Sequence, residues 1–418
     1  MNRVRILGNR ARLQLSKLPH PGPRRTFSST IPHLVNEEPS LYGEGGFHPI
    51  SLGDTFDAGR YEVLRKLGYG QYSTVWLARD FKHQRFVAIK ALRADRYGKS
   101  ERDILSKISD ISASSNHEGR HFILQILRRF NHVGPNGGHT FFVFDVLGHH
   151  LYFQCSKYED GRLPVQVVKT IARQLLLGLD FLHRECNIVH TDIHPKNVLL
   201  ELKDPNTAIS KHLSEVSPRT DTKSGETFPL REVIETPLIA EMEAPCLKII
   251  DFGAAKWRGK NQTYQIQPVS LRAPEVIIGA PWDTGVDIWT LGCLIVEFVQ
   301  GIVLFLGEAS KDGTWTVDDD RLAKIIEVFG PFPPELLERG TRTADFFDEN
   351  GDLRRIPKLK PTTLENLLNG PKKPFSKPDD MPEADVPLFI NFIRGMLAID
   401  PERRSSAADL VKHEWLKR

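Results

Sequence analysis

The spacing of apolar and polar residues changes along the chain from strand-like to helix-like. Four early segments alternate or form short apolar runs, as strands do: 61–64, 73–77, 86–91 and 140–146. Four later segments carry apolar residues at helical spacing: 164–183, 287–298, 321–329 and 387–397. Strands first and helices later, with a break near residue 148, predict an α+β fold.

The most apolar stretch, residues 288–307, resembles a membrane span in composition. Glu297 and Gln300 lie inside it, however, and an acidic side chain near the middle of a span is costly in lipid. Gly301 would also interrupt a spanning helix. We therefore predict a buried helix followed by a turn, and no membrane contact.

The composition of the 418 residues, 40% hydrophobic and 26% charged, is that of a soluble globular protein. The net charge of +3 gives no reason to expect a nucleic-acid partner. The four cysteines have neither metal-ligand spacing nor the density of a disulfide framework, which favours a reducing compartment.

Two segments differ from the rest in composition. Residues 1–36 hold seven Lys/Arg and no acid, which is typical of a transit peptide; mitochondrial targeting by residues 1–27 and a disordered basic tail both remain open. Residues 37–60 are a lead-in to the first strand. Residues 203–245 are rich in Ser, Thr, Pro and Glu and predict a flexible, structureless insertion.

The first candidate chemistry is a phosphate site. Glycines at 68 and 70, followed by Ser73 and Val75, form a turn whose protein backbone can approach phosphate groups closely, because glycine has no side chain. Lys90 ends the apolar run 87–90 and can reach those phosphates. A helix is predicted at 99–109, where Glu101 is our candidate to hold Lys90, with Asp103 as its rival and a solvated helix charge as the plain alternative.

The strongest segment is 188–200, in which apolar pairs flank a polar loop. Asp192 suits the orientation of an attacking hydroxyl, and Asn197, five residues later, suits a metal ligand. Asp251 ends a further apolar strand and begins Asp-Phe-Gly, and Ala-Pro-Glu follows at 273–275. Oxygen ligands from Asn197 and Asp251 suit Mg²⁺.

Together these five motifs resemble those of eukaryotic protein kinases across roughly residues 50–418. Finer features are similar to the SR-protein kinase (SRPK) family of the CMGC group, and they lie at 45–50, 146–151, 190–193, 318–323 and 358–361. This resemblance implies a two-lobed kinase fold, with a small β-rich lobe at 61–147 and a larger helical lobe at 148–418 that carries the insertion. It also implies ATP and Mg²⁺ as cofactors.

The resemblance further implies residue roles. The ATP-binding residues would be Leu67, Gly68, Gly70, Ser73, Val75, Ala88, Lys90, Phe144, Asp145, Leu147 and Leu199. Glu275, Arg404 and Asp287 would be structural. The SRPK family phosphorylates serines in Arg/Ser-rich splicing proteins, acts in cytoplasm and nucleus, and docks basic peptides in an acidic groove. Asp318, Asp319 and Asp320 would contribute to that groove or form a solvated face. Most such kinases are monomers.

Two positions depart from the kinase pattern. His194 stands where a lysine usually contacts the γ-phosphate, and histidine is shorter and mostly neutral at pH 7. Lys196 replaces a usual glutamate and places a positive charge nearby. We expect an active kinase in which His194 belongs to the catalytic set. The alternatives are a pseudokinase scaffold with weak or no transfer, and a kinase of a neighbouring branch with unrelated substrates.

Overall fold

The structure, a computed structural model, describes residues 37–95, 97–223, 226–259 and 263–418. The transit-peptide prediction for 1–36 lies outside these residues. The chain divides into two compact units, whose described parts are 37–259 and 263–418. The predicted α+β class is confirmed, since the early chain forms a β-sheet and the later chain is mainly helical. The lobe boundary at 147/148 stays a prediction.

A six-stranded antiparallel sheet opens the first unit, in the order β1-β2-β3-β4-β6-β5. Its strands are β1 Thr55–Phe56, β2 Tyr61–Tyr69, β3 Ser73–Asp80, β4 Arg85–Leu92, β5 Arg128–Gly134 and β6 Gly137–Phe144. One face packs into a core that includes Tyr61, Trp76 and Phe141, each at most 1% exposed. The alternating residues of the sequence pattern are those that fill this core.

Helix α1, Tyr97–Ser114, includes the predicted segment 99–109 and buries Ile104, Leu105 and Ile108. The remaining strands and helices of this unit that flank the site are β7 Leu147–His150, α2 Leu151–Ser156, α3 Val165–Asp180, β8 Ile188–Val189 and β9 Val198–Glu201. A π-helical turn, Phe181–Glu185, continues α3.

The insertion is folded where the structure describes it. It contains α4 Pro205–Glu215, the hairpin β10 Thr220–Lys223 and β11 Glu226–Pro229, and a 3₁₀ turn at Ile239–Glu241. Asp204 caps α4 by accepting a hydrogen bond from the Thr207 amide at 3.1 Å, and Ile209 is fully buried. The prediction of a structureless insertion is therefore wrong for this part, because a cap and one buried anchor order a segment whose composition is polar.

Two short strands complete the first unit, β12 Leu247–Ile249 and β13 Lys256–Trp257. Strands β12, β9 and β7 form a three-stranded sheet in that order, and β13 pairs with β8. These small sheets determine where the polar loops after β8 and β12 begin.

The second unit is helical. Its helices are α5 Pro274–Ile277, α6 Gly285–Gln300, α7 Val317–Phe329, α8 Pro334–Arg339, α9 Thr343–Phe346, α10 Leu364–Leu368, α11 Val386–Met396 and α12 Ala407–Leu410. Helix α6 is buried along its whole length after Gly285, and Gly301 ends it with φ 68°, a left-handed conformation that favours glycine. The predicted buried helix and turn are confirmed. Among the described helices, none is long and apolar enough to cross a membrane.

A buried ion pair lies inside this second unit. Arg404 donates to both carboxylate oxygens of Glu275, at 2.8 and 3.1 Å, and both side chains are 0% exposed. Arg404 also donates to the carbonyl oxygens of Gly285 and Ala398. Asp287 is buried in the first turn of α6. The structure thus brings Glu275 and Arg404 together and buries all three residues with a predicted structural role.

Candidate active site

Lys90 lies on the central strand β4, between Val75 of β3 and Phe142 of β6. Its Nζ donates to Glu101 Oε1 at 2.5 Å and to Asp251 Oδ1 at 3.2 Å. Asp103, the rival to Glu101, is half-exposed and pairs with Arg102 instead. The structure therefore places Glu101, which is 2% exposed, as the carboxylate that holds Lys90.

The charges at this site determine which form of Lys90 is present. Burial alone favours the neutral amine, but the carboxylates of Asp251 and Glu101 outweigh it and raise the pKa of Lys90. In return, the charge of Lys90 outweighs burial and lowers the pKa of Asp251. Lys90 is therefore a cation at neutral pH, as a phosphate-binding group must be.

Asp192 is held by the loop that follows β8. The Asn197 side-chain amide donates to the Asp192 carbonyl oxygen at 3.0 Å and to Oδ2 at 3.2 Å. Thr191, with φ 64°, turns the backbone and donates its hydroxyl to the Ala254 carbonyl oxygen. The Asp192 side chain keeps 31% of its surface exposed, so its carboxylate is oriented and yet accessible to a substrate hydroxyl.

Asn197 and Asp251 are brought together by the backbone. The Ile250 amide donates to the Asn197 carbonyl oxygen at 2.9 Å, and Asp251 follows with φ 63°. The Asn197 side chain donates to Asp192 through its NH₂ group, which leaves its amide oxygen for a metal ion. An amide oxygen and a half-exposed carboxylate are hard ligands that fit Mg²⁺, which takes water and phosphate oxygens as its other ligands.

A cavity of about 390 Å³ lies beside these residues. All eleven predicted ATP-binding residues line it, together with Glu101, His194, Asn197 and Asp251. The sequence prediction missed a group that also lines it, residues 231–234 of the insertion. The only signal for them was the apolar pair Val233 and Ile234 within a polar stretch. Asp192 is not among the lining residues, but its carboxylate lies 3.2 Å from the side-chain amide of Asn197, which is. The binding and catalytic roles of the predicted residues stay predictions, and their positions in or next to one cavity agree with them.

His194 lies close to the predicted base. Its Nε2 is 3.6 Å from Asp192 Oδ2, and its Nδ1 accepts a hydrogen bond from the Lys196 amide. The Lys196 ammonium lies 5.3 Å from the centre of the Tyr152 ring, and Lys196 also lines the cavity. The two departures from the kinase pattern are therefore both at the site, and Lys196 supplies a positive charge there.

The predicted docking acids lie in the second unit, in the first turn of α7. Asp319 is 1% exposed, forms a capping box with Thr316, and accepts from Arg355 at 2.8 Å. Asp318 pairs with Arg321 and Asp320 with Lys324. Arg355 and Thr316 outweigh burial and lower the pKa of Asp319. Asp319 is thus neither solvated nor accessible for docking, whereas Asp318 and Asp320 remain partly exposed.

Comparison with known proteins places the chain in a family. The protein kinase domain model matches residues 61–416. The serine/threonine-protein kinase SRPK of Physarum polycephalum is 33% identical over 392 residues, covering 90% of each chain. The protein kinase dsk1 of Schizosaccharomyces pombe is 31% identical over 92% of this chain and 85% of its own. SRSF protein kinase 3 of Mus musculus is 28% identical over 91% of this chain and 90% of its own. The chain belongs to the protein kinase domain family, and within it to the SRPK group of serine/threonine-protein kinases.

Proposed function

We propose that this kinase transfers the γ-phosphate of ATP, bound with Mg²⁺, to serines in Arg/Ser-rich proteins of the splicing-factor type. The observation that carries the transfer chemistry is the Lys90 ammonium bonded to both Glu101 and Asp251 at the edge of one cavity. The substrate class is supported by similarity to kinases whose names refer to SRPK and SRSF proteins, over about nine-tenths of this chain.

Each residue has a role in this reaction. Lys90 would hold the α- and β-phosphates, because it is a largely buried cation fixed in place by Glu101. Asn197 and Asp251 would hold Mg²⁺, which when bound neutralises charge on the phosphate oxygens. Asp192 would accept or orient the serine hydroxyl proton, with its carboxylate held by Asn197.

The second candidate function is a pseudokinase scaffold, which His194 favours. Charge stabilisation is a major part of catalysis at such sites, and a histidine supplies less charge than the usual lysine. The intact arrangement of Lys90, Asp192 and Asn197 supports transfer instead.

Docking of a basic peptide at α7 would involve Asp318 and Asp320, the two partly exposed acids. Asp318 lines an open cavity of about 540 Å³ together with Asp345, but Arg342, Arg354 and Arg355 line the same cavity. The cavity therefore carries both acidic and basic groups. Asp318 and Asp320 would each bind a substrate arginine next to them, but the cavity as a whole would not attract a basic peptide.

A peptide assay tests the substrate class. We expect the purified chain with ATP and Mg²⁺ to phosphorylate an Arg-Ser repeat peptide, and to transfer at least tenfold more slowly to a Lys-Ser repeat, because lysine does not pair with carboxylates in the bidentate geometry of arginine. The double variant Asp318→Asn/Asp320→Asn should raise KM for the Arg-Ser peptide and leave KM for ATP unchanged. Binding of ATP without transfer would support the scaffold, and equal rates on both peptides would contradict the Arg/Ser preference.

Location and assembly are further parts of the proposal. We propose a monomer that acts in the cytoplasm and nucleus, with mitochondrial import by residues 1–27 as the alternative that their composition leaves open. A fluorescent protein fused after residue 36 distinguishes a cytoplasmic and nuclear location from a mitochondrial one. We expect diffuse fluorescence and no overlap with a mitochondrial dye. Mitochondrial fluorescence that disappears when residues 1–27 are removed would contradict the cytoplasmic and nuclear location.

A further inference from the structure

The end of the insertion crosses one side of the nucleotide cavity, and we call residues 230–240 the strap. At its start, the backbone of Arg231 forms a parallel β-bridge with the backbone of Lys66 in β2, and the Glu232 amide donates to the Lys66 carbonyl oxygen at 2.7 Å. At its other end, Gln154 of α2 donates to the Pro237 carbonyl oxygen and accepts from the Ile239 amide. The strap therefore has fixed attachments on both the sheet and the helical side of the cavity.

Glu232 anchors the strap through its side chain. Its carboxylate is 3% exposed, accepts from the Arg219 amide, and lies 3.0 Å from His212 Nε2 and 3.3 Å from Arg65 Nε. Among the described contacts, the Arg231 side chain takes no part in this cluster. Arg231 lines the cavity, with its Nε 3.8 Å from the position that a Cβ would occupy on Gly68.

Arg231 is a partly buried cation that lacks an anion. Its Nε is buried without a hydrogen-bond partner, and in the part of the chain that the structure describes its guanidinium forms no ion pair. Burial lowers the pKa of Arg231, and no carboxylate offsets this effect. An anionic ligand would restore the hydrogen bond that the buried Nε of this guanidinium lacks.

The acids that line the same cavity are already paired. Glu101 and Asp251 contact Lys90, Asp145 lies 3.7 Å from Arg85, and Glu232 contacts Arg65. His150 also lines the cavity and lies near Arg231. Burial, and to a smaller extent the positive charge of Arg231, lowers the pKa of His150 to about 3, so its imidazole is neutral. Lys196 adds to the positive field around His150. The free positive charge beside Gly68 is therefore complementary to a ligand anion, not to a protein one.

We propose that Arg231 of the strap binds the phosphate groups of the nucleotide, so that the insertion supplies part of the ATP site. The inference rests on the proposed use of ATP by this cavity. The glycine turn next to Arg231 is the segment expected to lie over the phosphates, whereas adenosine alone carries no anion for a guanidinium.

Binding of ATP and of adenosine to the full chain, measured by calorimetry with Mg²⁺ present, tests the proposal. Arg231→Met keeps the unbranched part of the side chain and removes the charged guanidinium. We expect ATP affinity to fall about tenfold or more, since a hydrogen bond to a charged group is lost, and adenosine affinity to change less than about twofold. Arg231→Lys should recover part of the ATP affinity.

Arg65→Met is the matched control, because Arg65 holds the strap through Glu232 but does not line the cavity. Loosening the strap should affect ATP and adenosine to the same degree. The proposal is overturned if Arg231→Met binds ATP as tightly as the wild type, or if it loses ATP and adenosine affinity equally. A wild-type chain that binds ATP but phosphorylates no Arg-Ser peptide would contradict the proposed function without contradicting the role of Arg231 in ATP binding.

Discussion

Replacement of Asp192 by asparagine is expected to reduce phosphoryl transfer by about 10²- to 10⁴-fold, the usual contribution of a positioned general base. Asparagine keeps the size of the side chain and a carbonyl oxygen for Asn197, whose amide lies 3.2 Å from Asp192 Oδ2. It loses the negative charge that accepts the hydroxyl proton. ATP binding should therefore change little, and the effect should appear in kcat.

Single-turnover transfer to the Arg-Ser peptide, together with calorimetric binding of ATP, measures the two effects separately. Asp110→Asn is a suitable control, because Asp110 is an exposed carboxylate on α1 that does not line the cavity. Transfer by Asp192→Asn within a few-fold of the control would show that another group receives the proton. A parallel loss of ATP affinity would show that Asp192 acts on the nucleotide and not on the hydroxyl.

Replacement of Arg404 by methionine is expected to destabilise the protein by about 3–5 kcal/mol, because it leaves the Glu275 carboxylate buried without its partner. Both side chains are 0% exposed, so water does not replace the lost bonds. Arg404 also contacts two carbonyl oxygens, whose hydrogen bonds are lost as well. Urea-induced unfolding followed by fluorescence measures the change in the free energy of unfolding.

Arg394→Met is the matched control within the same unit. Arg394 pairs with Glu365, but the two side chains are 53% and 49% exposed, and such surface pairs contribute about 0–1 kcal/mol. The double variant Arg404→Met/Glu275→Leu should recover part of the stability, since it removes the unpaired charge as well. Equal losses for the Arg404 and Arg394 variants would mean that the buried pair contributes no more than a surface one.

The sequence predicts best those parts of the fold and site that depend on local residue types. The alternation in β2 to β4, the buried helix that ends at Gly301, and the pairing of Lys90 with a carboxylate three residues into the predicted helix segment all follow from short patterns. They are predictable because the physical cause, burial of one face or neutralisation of one charge, lies within a few residues of the pattern itself.

The parts that the sequence does not predict depend on partners far along the chain. The insertion looked structureless because its order comes from Ile209 packing in a core and from Glu232 meeting Arg65. Asp319 looked like a docking acid because Arg355, the residue that neutralises it, is 36 residues away in sequence. A pattern in one segment carries no information on which distant side chain will reach it.

The strap also explains two residues of the segment that resembles the SRPK family, Gly148 and His149. A Cβ on Gly148 would lie 2.2 Å from Thr236 Cγ2, and His149 Nδ1 is 3.0 Å from the Thr236 hydroxyl. Gly148 and the strap therefore fit each other closely at Thr236. Any residue larger than glycine at 148 would require the strap to shift at Thr236, so the cavity wall that the strap forms depends on a glycine outside the insertion.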